Sequence, residues 1–146
     1  MYCIGRTIST EAETEARTSS DGGSTFDSTA SDYDYEMTRV TAGAVTYNSA
    51  IDGGGATSLR VAENARNNSG GYCGSMETFA TNVTAGRTHF TAHVACTNNA
   101  ATPAINSCVF SGSRVSAEIV DAIRFLMDSG NITSGKFHLY GVKEVK

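Results

Sequence analysis

The segment RTHFTAHVACT, Arg87–Thr97, constrains the fold more than any other stretch of the chain. Phe90, Ala92, Val94 and Cys96 fall on one face, and His89, Thr91 and His93 on the other. Successive side chains of a strand point to opposite sides, so a period of two marks a strand with one buried and one solvated face. After a loop that holds the only proline, Pro103, the segment NSCVFSGSR brings Cys108 and Phe110 to one face. The two segments read as an antiparallel hairpin closed around Asn98–Asn106. A symmetric register puts Cys96 opposite Cys108, both directed inward as small apolar fillers.

The same alternation recurs along the chain. YCIGRT (Tyr2–Thr7) is a first strand, and a second runs up to Asp21-Gly22-Gly23. Glycines there take positive φ at little cost and make the segment a turn. In DYDYEM, Tyr33, Tyr35 and Met37 alternate with Asp34 and Glu36. AVTYNSAI repeats the pattern with Val45, Tyr47 and Ile51, and Asp52–Gly55 breaks it. SLRVAEN, a turn at Asn67–Gly71 and CGSMETFAT follow. The segment SRVSAEIVDAIRFLMDSG admits two readings. Val115, Ile119, Ile123 and Leu126 have helical spacing, with Ser116 as cap and Gly130 as terminator. As a strand, Ile123, Phe125 and Met127 point inward and NITSG turns into KFHLYGV. Phe90, Val94, Phe110, Ile123, Phe125 and Leu139 are the expected core.

Composition fits short strands joined by many turns. The charged fraction is 18%, tryptophan is absent, and Ser, Thr, Gly, Asn and Ala fill the gap. A helical bundle would need more Leu, Glu and Lys. At 146 residues, a single domain spanning 1–146 is expected. A net charge of −4 supplies no basic patch for phosphates, which argues against a nucleic-acid partner. No apolar run nears the roughly 20 residues that span a bilayer as a helix, so no membrane insertion is expected. MYCIGRTIST lacks the apolar stretch and cleavage site of a secretory signal. Cys3, Cys73, Cys96 and Cys108 show no C-x-x-C spacing, so zinc is not expected.

Candidate chemistry is thin. Asp32, Asp34 and Glu36 are oxygen donors for Ca²⁺, but alternate strand residues lie about 7 Å apart, too far for three to chelate one ion without a bend. His89 and His93 share a face about 13 Å apart on a strand, and with His138 they read as solvated surface. No G-x-S-x-G elbow and no Cys-His signature accompanies the many serines, so no catalytic residue is expected. GGGATS, Gly53–Ser58, lacks the lysine of a phosphate loop and is a flexible turn. Tyr33, Tyr35, Tyr47, Tyr72 and Tyr140 could stack on sugar rings, although tyrosine is also ordinary half-buried strand material. The loop NNSGGY joins amide donors, glycines and an aromatic, which makes Asn67, Asn68 and Tyr72 the candidate ligand contacts. No cofactor and no metal are expected.

RTSSDGGSTFDSTASDY (Arg17–Tyr33) and AIRFLMDSGNITSGKFHLYGV (Ala122–Val142) together resemble a β-sandwich domain recurrent in bacteriophage tail-fibre and other virion surface proteins. The likeness spans most of the chain, and its two ends carry it. In that family an Arg-Thr-Ser strand end enters an Asp-Gly-Gly turn, and a hairpin closes the domain. The resemblance implies an all-β, antiparallel β-sandwich of jelly-roll or lectin-like kind, with at most one or two short helical turns. It resolves the ambiguous segment as a turn at Ser116–Val120 and then a strand. Such domains have strand sequence before the Asp-Gly-Gly hairpin, whereas STEAETEA here is strongly polar. Either a first strand is missing or another chain supplies it.

The resemblance implies a non-enzymatic virion structural protein, assembled in the host cytoplasm and displayed on the particle. A tail-fibre-like role in host attachment through a surface glycan comes first. A capsid decoration (cement or head-fibre) protein is the alternative, and a free carbohydrate-binding module or glycan-active enzyme is the reading of another class. Other virion proteins are expected partners, and homo-oligomers, often trimers, are common in such families. Cytoplasmic assembly also implies that Cys96 and Cys108 stay thiols. A disulfide needs Cβ atoms about 3.8 Å apart, closer than most directly opposed strand pairs.

Overall fold

The computed structural model describes residues 2–8, 12–50, 56–65, 72–79, 86–97 and 104–141. They form ten strands: β1 (Tyr2–Ile8), β2 (Ala12–Ser19), β3 (Tyr33–Thr41), β4 (Ala44–Ala50), β5 (Leu59–Ala65), β6 (Tyr72–Phe79), β7 (His89–Thr97), β8 (Ile105–Arg114), β9 (Ala122–Met127) and β10 (Ile132–His138). A seven-stranded sheet has the order β10-β1-β6-β7-β8-β3-β4, and a three-stranded sheet the order β5-β2-β9. Every pairing between neighbouring strands is antiparallel. The fold is an all-β, two-sheet sandwich, and no helix occurs among the described residues.

β5 packs across β3, β7 and β8 of the larger sheet. The core lies between the layers: Ala16, Leu59, Val61, Ala62 and Met127 from the small sheet meet Tyr33, Met37, Phe90, Ala92, Val94, Cys96, Cys108 and Phe110 from the large one. β7 buries Phe90, Ala92, Val94 and Cys96 and exposes His89 and His93, as the period of two requires. Tyr33 and Met37 are buried likewise, with Tyr35 packed against the core.

The β7–β8 register differs from the symmetric one by two residues. Cys96 faces Asn106 and Val94 faces Cys108. Side-chain size explains the shift. Phe90 lies opposite Gly112 and Phe110 opposite Ala92, so each phenyl ring meets a small residue across the ladder. The symmetric register would set Phe110 against Val94 and Phe90 against Arg114. Both cysteines remain buried thiols, now on diagonal rather than opposed positions.

Four other expectations are corrected. The polar AETEARTS is the central strand of the small sheet, because its inward residues, Thr14, Ala16 and Thr18, are small and buried. The Asp-Gly-Gly segment closes no hairpin. It opens the crossing from β2 in one sheet to β3 in the other. NITSG is not the turn into the last strand: the chain bends at Asp128–Gly130, with Gly130 at φ 69°, and Ile132 already belongs to β10. Leu139 is 80% exposed rather than core, because it lies past the end of an edge strand, and Ile123 and Phe125 are only half-buried. Tyr47, Phe137 and Tyr140 are exposed as well.

Candidate functional site

The polar loop between β2 and β3 is held shut by its own side chains. Asp21 accepts from the Thr25 backbone N–H (2.9 Å), the Thr25 hydroxyl (2.6 Å) and the Ser19 hydroxyl (2.7 Å). These bonds, that of the Thr25 hydroxyl first, hold its carboxyl at about 2 against an ordinary 3.8. Ser19 Oγ in turn accepts from the Gly23 N–H at 3.0 Å. Gly22 and Gly23 stand at φ 73° and 84°, where a side chain would be strained. The segment is structural punctuation, and its bonds fix the path of the chain into Phe26.

A buried arginine anchors the far side of that loop. Arg114, at the end of β8, pairs with Asp27 (Nε–Oδ2, 2.6 Å) and Glu118 (Nη2–Oε2, 2.7 Å). The Ser20 hydroxyl donates to the same Glu118 carboxylate at 2.9 Å, and this bond, followed by Arg114, lowers the Glu118 pKa. The Gly22 N–H donates to Asp121 at 2.9 Å. Beneath them, the Tyr33 hydroxyl accepts from the Thr18 N–H (2.8 Å) and donates to the Asp27 carbonyl (3.2 Å). Burial pushes the Tyr33 phenol up despite the Thr18 bonds that oppose it. Two loops, residues 20–32 and 115–121, are thus locked to each other and to the strand ends.

The lock presents Phe26 beside β9 and β10. Phe26, Ile123, Arg124, Phe125, Ile132, Phe137 and Leu139 line an open groove of about 580 Å³. Phe125 and Phe137 stack with centroids 5.7 Å apart and planes 25° from parallel. The Arg124 guanidinium sits 4.4 Å above the centre of the Phe26 ring, a cation–π contact that fixes both. Next to the lining residues Phe137 and Leu139 in the chain, His138 and Tyr140 stack on each other at 6.3 Å. The groove lies where β9, an edge of the small sheet, meets β10, an edge of the large one. Aromatic faces and guanidinium N–H donors there are open to solvent. Such a surface binds a flat, partly apolar ligand by stacking and orients it by hydrogen bonds from Arg124.

A second hollow, of about 430 Å³, crosses the large sheet over β7, β8 and β3, between Asp34 and Glu36 of β3, Ser111 of β8, and His89 and Thr91 of β7. Asp34 is paired there with Arg87 at 2.8 Å. Asp32 is not on that strand face, because its carboxylate is turned back to accept from the Thr29 N–H and hydroxyl. The three carboxylates therefore do not converge.

Of the ligand contacts expected from sequence, Asn67 and Asn68 lie outside the described residues. Tyr72 opens β6, paired to Cys96 of β7. The groove instead draws on Phe26, Arg124, Phe125 and Phe137, of which Phe125 read as core. The available signal was an excess: Phe125 and Phe137 on the last two strands, with Leu139 and Tyr140 just beyond, are more than one covering layer can bury. No family model, no curated protein and no solved structure matches the chain.

Proposed function

We propose that the chain is a non-enzymatic adhesion domain displayed on a bacteriophage virion, tail-fibre-like, that holds a saccharide of the host surface in the groove of Phe26, Arg124, Phe125 and Phe137. The resemblance of Arg17–Tyr33 and Ala122–Val142 to virion surface sandwiches supports the setting. The observation that carries the binding role is the stacked Phe125–Phe137 pair beside the Arg124–Phe26 contact, in a groove open to solvent. An aromatic plane takes the apolar face of a pyranose ring, and a guanidinium donates to its hydroxyl or carboxylate oxygens. The test is a glycan array followed by NMR titration of the best saccharide. Shifts confined to residues around Phe26, Arg124 and Phe137, without turnover of the sugar, support the reading. Turnover, or shifts elsewhere, would overturn it.

The exposed aliphatic Leu139 favours a second reading, because an isolated leucine offers a sugar no stacking plane but suits a protein neighbour. On this reading the chain decorates a capsid and the groove seats another virion protein. Copy number in purified particles separates the two: hundreds of copies mean decoration, a few at the tail mean a fibre.

A further inference from the structure

The sheets end on four edge strands, and three carry charge. β10 has Lys136, β9 has Arg124, and β5 has Arg60 and Glu63. Charges of this kind keep an edge from pairing with another chain. β4, with the sequence AVTYNSA, has no charged residue and no proline, and none of the described strands pairs with its outer side. Val45 and Tyr47 are 51% and 76% exposed on the outer face of the sheet. Across the ladder Val45 faces the exposed Val40, and Tyr47 faces Thr38, next to the exposed Val109. An apolar strip thus runs up to an edge whose backbone N–H and C=O groups meet no other strand among the described residues.

We propose that β4 pairs with β4 of a second copy of this chain, antiparallel about a two-fold axis. An open ladder selects an extended strand as its occupant. Charge then limits where two copies can meet. Each copy carries −4 overall, so two copies repel over most of their surface, whereas β4 is neutral along its whole length. The strand also complements itself. An antiparallel pairing centred on Tyr47 matches Ala44 to Ala50 and sets the two Tyr47 rings side by side on the outer face. The Val109–Thr38–Tyr47 row then continues across the axis through the tyrosine pair, with each Val45 diagonal to the facing Tyr47, as a β-branched and aromatic cross-strand patch. An isologous contact of this kind closes after two copies and does not grow into a fibre. A ladder of this length is small against the roughly 1,200–2,000 Å² of a stable interface, so dissociation in the micromolar range is expected.

Sedimentation velocity on the full chain across a concentration series tests the pairing. The wild type is expected to form a dimer, and Val45→Lys with Tyr47→Lys to raise its dissociation constant at least tenfold while the far-UV circular dichroism stays unchanged. A wild-type chain that stays monomeric to about 1 mM, or a dimer or trimer that survives both lysines, overturns it. Tyr47→Cys gives an independent readout, because mild oxidation should link two copies through residue 47, beyond any linkage of the wild type. No such linkage, in a protein with a native spectrum, also overturns the pairing.

Discussion

Gly112 marks how closely the core is fitted at the residue scale. A Cβ built there would meet Phe110 Cζ at 2.6 Å and Leu59 Cδ2 at 2.9 Å, and both partners are buried. Gly112→Ala should therefore cost about 1–3 kcal/mol in denaturant unfolding, the usual range for overpacking. A neutral substitution would mean that the Phe110 ring does not lie over Gly112. Tyr33 gives a second case. Tyr33→Phe leaves the buried Thr18 N–H without its acceptor, for a loss of about 1–3 kcal/mol by the same measurement. The observed register also sharpens the cysteine expectation. Cys96 and Cys108 sit diagonally, where Cα atoms are about 7–8 Å apart, beyond ordinary disulfide reach. Mass spectrometry without reductant should find no Cys96–Cys108 link. The inward placement of both cysteines was legible from the period of two. Their partners were not, because register here follows the fit of two phenyl rings against Ala92 and Gly112, and a hairpin drawn symmetrically about its loop contains no side-chain volumes.

Among the elements, legibility depended on what faces inward. β7 and β8 announce themselves because Phe90, Val94 and Phe110 alternate with polar residues. β2 has the same period, but its inward set is Thr14, Ala16 and Thr18, so its hydropathy shows no stripe. Its neighbours on each side, β5 and β9, supply the apolar surface instead. β9 is ambiguous by periodicity because Ile119, Ile123 and Leu126 keep helical spacing; the resemblance gave the extended form, and pairing with β2 holds it. The loop after β2 carries a pH prediction. The pKa of Asp21 is lowered in the folded chain to about 2 from 3.8, so its contribution is complete above about pH 4 and is lost as pH falls through about 2. The lowered Glu118 acts in the same direction. Asp21→Ala should be less stable than wild type at neutral pH, and the difference should shrink as pH falls from 4 to 2. A gap that stays constant over that window would mean the Asp21 carboxylate does not gain its hydrogen bonds on folding.

At the scale of the whole molecule, three strands cannot cover seven. β5 covers β3, β7 and β8, and among the described residues two regions stand open, the β9–β10 groove and the β4 edge. Phe137, Leu139, Val45 and Tyr47 follow the same alternation as buried strand residues, so a sequence pattern cannot separate a covered face from an uncovered one. That is why Leu139 reads as core and proves exposed. The two open regions should also behave independently, because they lie at opposite ends of the large sheet. Phe137 is 46% exposed and sits on an edge strand, so Phe137→Ala removes a stacking plane and little of the core. It should weaken saccharide binding about tenfold, the worth of one aromatic contact, while unfolding free energy changes by under about 1 kcal/mol. Its self-association should match that of the wild type. Conversely, Val45→Lys with Tyr47→Lys should leave saccharide binding intact. If Phe137→Ala instead unfolds the protein with a loss of several kcal/mol, the Phe125–Phe137 stack is part of the core and the groove is packing rather than a binding surface.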